Sequence, residues 1–95
     1  MDPDELDAKM TALAHGFPSM RGARGVDPWE PAELNRWAVG PASHGERATA
    51  SFLLAVWDGS TEWEAGKFDV MEAVRIWPPS HREPFLRWAR DPWWP

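Results

Sequence analysis

The segment SHGERATASFLLAVWD, residues 43–58, constrains the fold more than any other part of the chain. On a helical wheel its apolar side chains occupy almost the whole circumference. Only a narrow stripe is polar along its length: His44, Arg47, Ser51 and Asp58. A helix that is apolar on nearly every side is normally buried by its neighbours. Since a chain of 95 residues forms one domain, the sequence predicts a mostly buried central helix at about 43–58, enclosed by the rest of residues 1–95.

Shorter helical segments flank this central helix, and proline or glycine separates them. The first is predicted to begin after an Asp2 cap and to end at Gly16. The others are predicted at about residues 31–39, 69–77 and 81–90. In the fourth helix, one shared face comprises Val70, Ala73, Val74 and Trp77. No stretch alternates apolar and polar residues for long enough to form a strand, so the sequence predicts an all-α fold of about five short helices.

Two segments lack helical periodicity. Residues 16–28 contain three glycines and two prolines, which is typical of a loop, and we expect this loop to be flexible. Residues 91–95, DPWWP, form a tryptophan-rich C-terminal tail.

Eight tryptophans in so short a chain predict a tryptophan-rich core. Each large aromatic side chain can bury roughly 150–250 Å², which lets a small domain do with few aliphatic residues. Trp37, Trp57 and Trp77 lie on apolar helix faces and are predicted to be core residues, and Trp88 to be partly exposed. The remaining four lie outside the periodic pattern: Trp29, Trp63, Trp93 and Trp94. These either cover the core, with Arg87 or Arg90 stacked on an indole, or serve as exposed anchors for binding.

The pattern Pro-x-Ser-His-x-Glu occurs twice, at residues 41–46 and 78–83. In both copies serine precedes glutamate by three residues at a helix start, which predicts a capping box. A metal site built from the same histidines and glutamates is disfavoured, because positions two apart on a helix point about 200° apart. We therefore predict neither a metal nor another cofactor. Pro84 lies so early in the last helix that we expect this helix to begin one or two residues later than the motif suggests.

Composition excludes several classes of function. The chain has no cysteine, no Gly-x-Ser-x-Gly motif and no phosphate-binding loop, and its three histidines lie near helix ends, where they cap or are solvated. We therefore predict that it is not an enzyme. The net charge of −5 argues against general nucleic-acid binding. No apolar run approaches the ~20 residues of a membrane span, and the acidic start MDPDELDAK lacks the apolar centre of a signal peptide. The sequence predicts a cytoplasmic protein.

By elimination, we expect a protein that binds another macromolecule, most plausibly a protein with a basic surface. The predicted contact surface is an acidic segment around one indole: Asp58, Glu62, Trp63, Glu64, Asp69 and Glu72. Carboxylates suit a basic partner, and tryptophan is enriched in binding hot spots. A second candidate surface comprises Arg87, Arg90, Trp93 and Trp94.

Two alternatives remain open, and one analogy bears on the choice. A helical regulator could bind DNA or RNA through its arginines, namely Arg21, Arg24, Arg82, Arg87 and Arg90. A homo-oligomer with a structural role is the other alternative. In size and composition the chain is similar to small inhibitors that phages and plasmids encode, including inhibitors of CRISPR nucleases. This analogy favours a partner that handles nucleic acid.

Overall fold

The structure is a computed structural model that describes residues 2–95. Within this range the chain forms five α-helices and no strand, which confirms the all-α prediction. The helices are α1 (Pro3–His15), α2 (Pro31–Val39), α3 (His44–Asp58), α4 (Val70–Ile76) and α5 (Pro79–Arg90), and one 3-10 turn spans Pro18–Met20.

Helix α3 lies at the centre of the molecule, as predicted. It contacts α1, α2, α4 and the 3-10 turn. Its buried residues are Thr49, Ala50, Ser51, Phe52, Leu53, Leu54 and Val56. Short segments with little helical stability of their own form helices here because each buries an apolar face against α3.

An aromatic cluster around Phe52 connects α3 to parts of the chain that are distant in sequence. The Phe52 ring lies 5.7 Å from Phe17, 5.2 Å from Phe68, 5.3 Å from Phe85 and 5.2 Å from Trp88, measured between ring centroids. These separations are those of favourable aromatic pairs, each worth about 0.5–1.5 kcal/mol beyond the area that it buries. The residue before the 3-10 turn, the α3–α4 loop and α5 thereby all pack against the Phe52 ring.

The tryptophans divide between the core and its edge. Trp77 is buried, whereas Trp37 and Trp57 pack against the core and stay partly exposed. Trp29 is also buried, 5.7 Å from the Trp57 ring, which agrees with the first of the two alternatives, that it covers the core. Its indole nitrogen is buried without a hydrogen-bond partner.

The segment 16–28 contributes to the core more than its lack of periodicity indicated. Phe17, Met20 and Val26 are fully buried, so they are core residues that the sequence analysis missed. Gly25 has a φ of +84°, and a Cβ there would lie 2.4 Å from the backbone nitrogen of Leu34. Only glycine fits such a close approach. The flexibility of this segment stays a prediction.

The capping prediction is confirmed at one copy of the repeated motif and wrong at the other. At the start of α3, the Glu46 amide donates to Ser43 Oγ and the Ser43 amide donates to Glu46 Oε1, which completes the capping box. Asp69 caps α4 in a similar way, by accepting from the Glu72 amide.

Helix α5, in contrast, begins at Pro79, before the serine of the second copy and not after it. The Pro78 carbonyl accepts hydrogen bonds from the amides of His81 and Arg82. Proline suits the first helical position, because its φ is already helical and it lacks an amide that would need a partner. This preference overrides the Ser80 cap. The expected later start, argued from Pro84, is therefore wrong as well.

Candidate interaction surface

The acidic segment 58–72 runs from the last residue of α3, through the loop 59–69, into the first turn of α4. Asp58 closes α3 by accepting hydrogen bonds from the Ser60 amide, the Ser60 hydroxyl and the Thr61 hydroxyl at 3.0, 2.6 and 2.7 Å. The hydrogen bond from the Ser60 side chain, followed by that from Thr61, lowers the pKa of Asp58 below its ordinary value. This carboxylate is therefore ionised at neutral pH, and it shapes the start of the loop.

The middle of the loop is fastened to the helices through Ala65. The Ala65 carbonyl accepts from Arg47 Nε at 3.1 Å and from Ser51 Oγ at 3.1 Å, and its amide donates to Asn35 Oδ1 at 3.0 Å. Arg47 also donates to the carbonyl of Glu64 at 3.2 Å. Two residues of the polar stripe on α3 thus hold the loop backbone. The loop keeps its shape without help from the glutamate side chains that it carries.

The carboxylates of the segment have two different roles. Asp69 caps α4, and Glu72 lies 3.4 Å from His44 Nε2, across the gap between α4 and α3. Glu62 and Glu64 are exposed, and within residues 2–95 their side chains make no hydrogen bond or ion pair. These two side chains are available to a partner, whereas Asp58 and Asp69 serve the fold.

Trp63 combines the two roles that the sequence left open. It is half-buried and packs against the core, and its Nε1 donates to the Asp58 carbonyl at 3.0 Å. It also lines a groove of about 700 Å³. The groove is lined by Ser51, Ala55, Gly59, Ser60, Thr61, Glu62, Trp63, Gly66, Lys67 and Phe68. Pockets of roughly 300–1,000 Å³ are large enough to hold a ligand or partner side chains.

Helix α4 exposes apolar side chains beside this segment. Met71 is 74% exposed, Val70 43% and Val74 41%, whereas Ala73 and Trp77 are buried. Val74 follows Val70 by four residues and Met71 by three, so both adjoin Val74 on the helix surface, and we call these three residues the α4 ridge. The shared apolar face predicted for α4 is therefore buried only in part.

The second predicted surface also combines one residue that packs against the core with others that are exposed. Trp93 is half-buried and packs against the core. The Trp93 carbonyl accepts a hydrogen bond from Trp88 Nε1. Lys9 Nζ lies 4.2 Å from the centroid of the Trp93 ring. The cation on this indole is thus a lysine from α1, not Arg87 or Arg90. Trp94 is 63% exposed, and Arg87 and Arg90 are exposed in the last turn of α5.

The sequence did not predict a hydrogen-bonded pair formed by His81 and Ser19. His81 Nε2 lies 2.7 Å from Ser19 Oγ and also faces the Ser19 amide, and Nδ1 lies 3.1 Å from Ser80 Oγ. Because the Ser19 amide donates to Nε2, the proton of a neutral ring belongs on Nδ1. The ring is only 8% exposed and packs 6.0 Å from Phe17. The expectation of a solvated or capping histidine is wrong here, and burial lowers the pKa of His81.

A hydroxyl that faces an imidazole nitrogen is the pairing that activates serine nucleophiles. At His81 this pair is part-buried, and its hydrogen bond connects the 3-10 turn to α5. Across residues 2–95, no three histidine or carboxylate side chains are grouped so that they could hold a metal ion. In the same range, none of the helices has the length and apolarity that crossing a bilayer requires.

Comparison of the chain with family models, curated proteins and solved structures gave no match.

Proposed function

We propose that this protein is a non-enzymatic binding module whose acidic segment 58–72 engages a basic surface on another protein. The observation that carries the proposal is the loop fastened at Ala65, which presents Glu62 and Glu64 beside the groove at Trp63. A loop fixed before binding loses little conformational freedom on binding, so more of its interaction energy appears as affinity.

Charge supports the same partner. Residues 58–76 contain five carboxylates and two basic side chains, so this fifth of the chain carries most of its net charge of −5. Such a surface attracts a basic partner at long range and speeds association. Proteins that handle nucleic acid have basic surfaces, and the analogy with small phage and plasmid inhibitors favours the same class. An inhibitor of a nucleic-acid-handling enzyme is therefore the function that we propose.

The test uses a displayed library of random 12-residue peptides, selected against the immobilised protein at low and at physiological salt. We expect enrichment of lysine and arginine, weakened by salt. The double variant Glu62→Arg/Glu64→Arg should lose this enrichment. The matched control Glu83→Arg, which changes an exposed carboxylate on α5, should keep it. Selection of the same peptides by the double variant and the wild type would refute the proposal.

Self-association is a second candidate, and the exposed α4 ridge favours it. Exposed apolar groups that adjoin one another mark contact sites more often than isolated ones. Sedimentation velocity over a wide concentration range tests this function. A dimer that Met71→Lys dissociates, and that Val39→Lys on α2 leaves intact, would support it. A monomer at every concentration would refute it.

A further inference from the structure

The polar atoms that line the groove at Trp63 are mostly hydrogen-bond acceptors. The Ser60 and Thr61 hydroxyls donate their protons to Asp58, so their oxygens are left with lone pairs only. Glu62 contributes a carboxylate, and Trp63 has already used its only donor on the Asp58 carbonyl. This arrangement suits a ligand group that donates several hydrogen bonds and accepts none.

The aromatic lining adds a second requirement. Trp63 and Phe68 both line the groove. The face of an indole attracts cations. A planar cation on an apolar stem fits both features, because it can stack on the ring while its stem contacts apolar atoms. The arginine side chain has this form, with five donors, no acceptor and a permanent charge.

One lining residue opposes a cation. Lys67 is exposed and lies along the same groove. Its flexible stem lets the ammonium group turn toward solvent, yet its charge still repels an incoming guanidinium. This opposition provides a test, because removal of Lys67 should strengthen the binding of a cation.

We propose that the groove at Trp63 binds the side chain of an arginine that projects from the basic partner. The inference rests on the proposed function and deepens it, since it names the group that the surface recognises. Guanidinium stacks on the Trp63 indole and donates to the Glu62 carboxylate and to the Ser60 and Thr61 oxygens.

The direct test titrates the ¹⁵N-labelled protein with Ac-Gly-Arg-Gly-NH₂ at low salt and follows amide and indole resonances by NMR. The matched probes contain lysine or citrulline, the neutral analogue of arginine. We expect saturable shifts at the Trp63 indole and at residues 60–68, with arginine binding at least about fivefold more tightly than lysine, the equivalent of roughly 1 kcal/mol. Citrulline should cause no saturable shift. Equal binding of the three probes, or shifts confined to other surfaces, would overturn the inference.

Three variants sharpen this test. Glu62→Gln should weaken arginine binding about fivefold, and Lys67→Ala should strengthen it. Trp94→Ala removes an exposed indole outside the groove and should change nothing. If Lys67→Ala has no effect, or if Trp94→Ala abolishes binding, the site is not this groove. The inference can fail while the proposed function stands, since library selection that depends on Glu64 but not on Glu62 or Lys67 would keep the acidic surface and reject the arginine site.

Discussion

The hydrogen bond between Trp77 and Thr49 gives a prediction whose size follows from the structure. Trp77 Nε1 donates to Thr49 Oγ1 at 2.9 Å, and both residues are buried. Thr49 Oγ1 in turn donates to the Gly45 carbonyl at 2.9 Å. The Gly45 carbonyl also accepts the helical bond from the Thr49 amide, so it keeps a partner when the hydroxyl is removed. Only the indole loses its partner.

Thr49→Val keeps the shape of the side chain and leaves the Trp77 N–H buried without an acceptor. A buried polar group without a partner costs about 1–3 kcal/mol. This is a large part of the roughly 5–15 kcal/mol that stabilises a small domain. At about 2 kcal/mol, Tm should fall by roughly 8–16 °C. Guanidinium unfolding followed by far-UV circular dichroism measures the free energy directly, without relying on indole fluorescence.

A double-mutant cycle isolates the hydrogen bond from the change in packing. In a Trp77→Phe background no indole N–H remains, so Thr49→Val should cost about 1–2 kcal/mol less than it does in the wild type. Trp94→Phe serves as the control for an exposed indole and should change stability by less than about 0.5 kcal/mol. If Thr49→Val costs the same in both backgrounds, the reasoning about the buried N–H is wrong.

Two further predictions concern His81 and the glycines with positive φ. Burial lowers the pKa of His81 below its ordinary value of 6.5, so the unfolded chain binds a proton at a higher pH than the folded protein does. The free energy of unfolding should therefore fall as pH drops below about 6.5, and it should fall less in His81→Gln. Urea titrations at pH 7, 6 and 5 measure this difference, and parallel losses in both proteins would contradict it. Gly66→Ala should cost about 1–2 kcal/mol for its left-handed backbone. Gly25→Ala should cost clearly more, because its Cβ would also lie 2.4 Å from Leu34 N; equal thermal midpoints would refute this.

Local sequence signals predicted the approximate positions of the five helices. Helix α3 has an apolar pattern over 15 residues and a complete capping box, and both are visible in the sequence. At α5 two local signals competed, a serine cap and a proline at the first helical position. The sequence alone did not show that Pro79 would decide the start.

Burial outside the helices depended on contacts between distant residues. Phe17 is buried because Phe52 and Trp77 lie 5.7 Å from it, and neither is close in sequence. Helix α4, with seven residues, is too short for its wheel to tell the face that packs from the face that stays exposed. Such contacts require the assembled fold.

The candidate surface was predicted in composition but not in shape. The charge pattern pointed to Glu62 and Glu64, but the sequence left open whether Trp63 covers the core or is exposed. The groove depends on Arg47, Ser51 and Asn35 holding the backbone of Ala65. In the sequence, Arg47 and Ser51 were only a polar stripe on an apolar helix.

The fastening of Ala65 has a consequence for how such a protein can evolve. The side chains that hold the loop come from α2 and α3, while Glu62 and Lys67, two exposed residues that line the groove, take no part in holding it. Substitutions at Glu62 and Lys67 can therefore alter what the surface recognises at little cost to stability. A lineage under pressure from a changing target can exchange these few positions and inherit the helical scaffold unaltered.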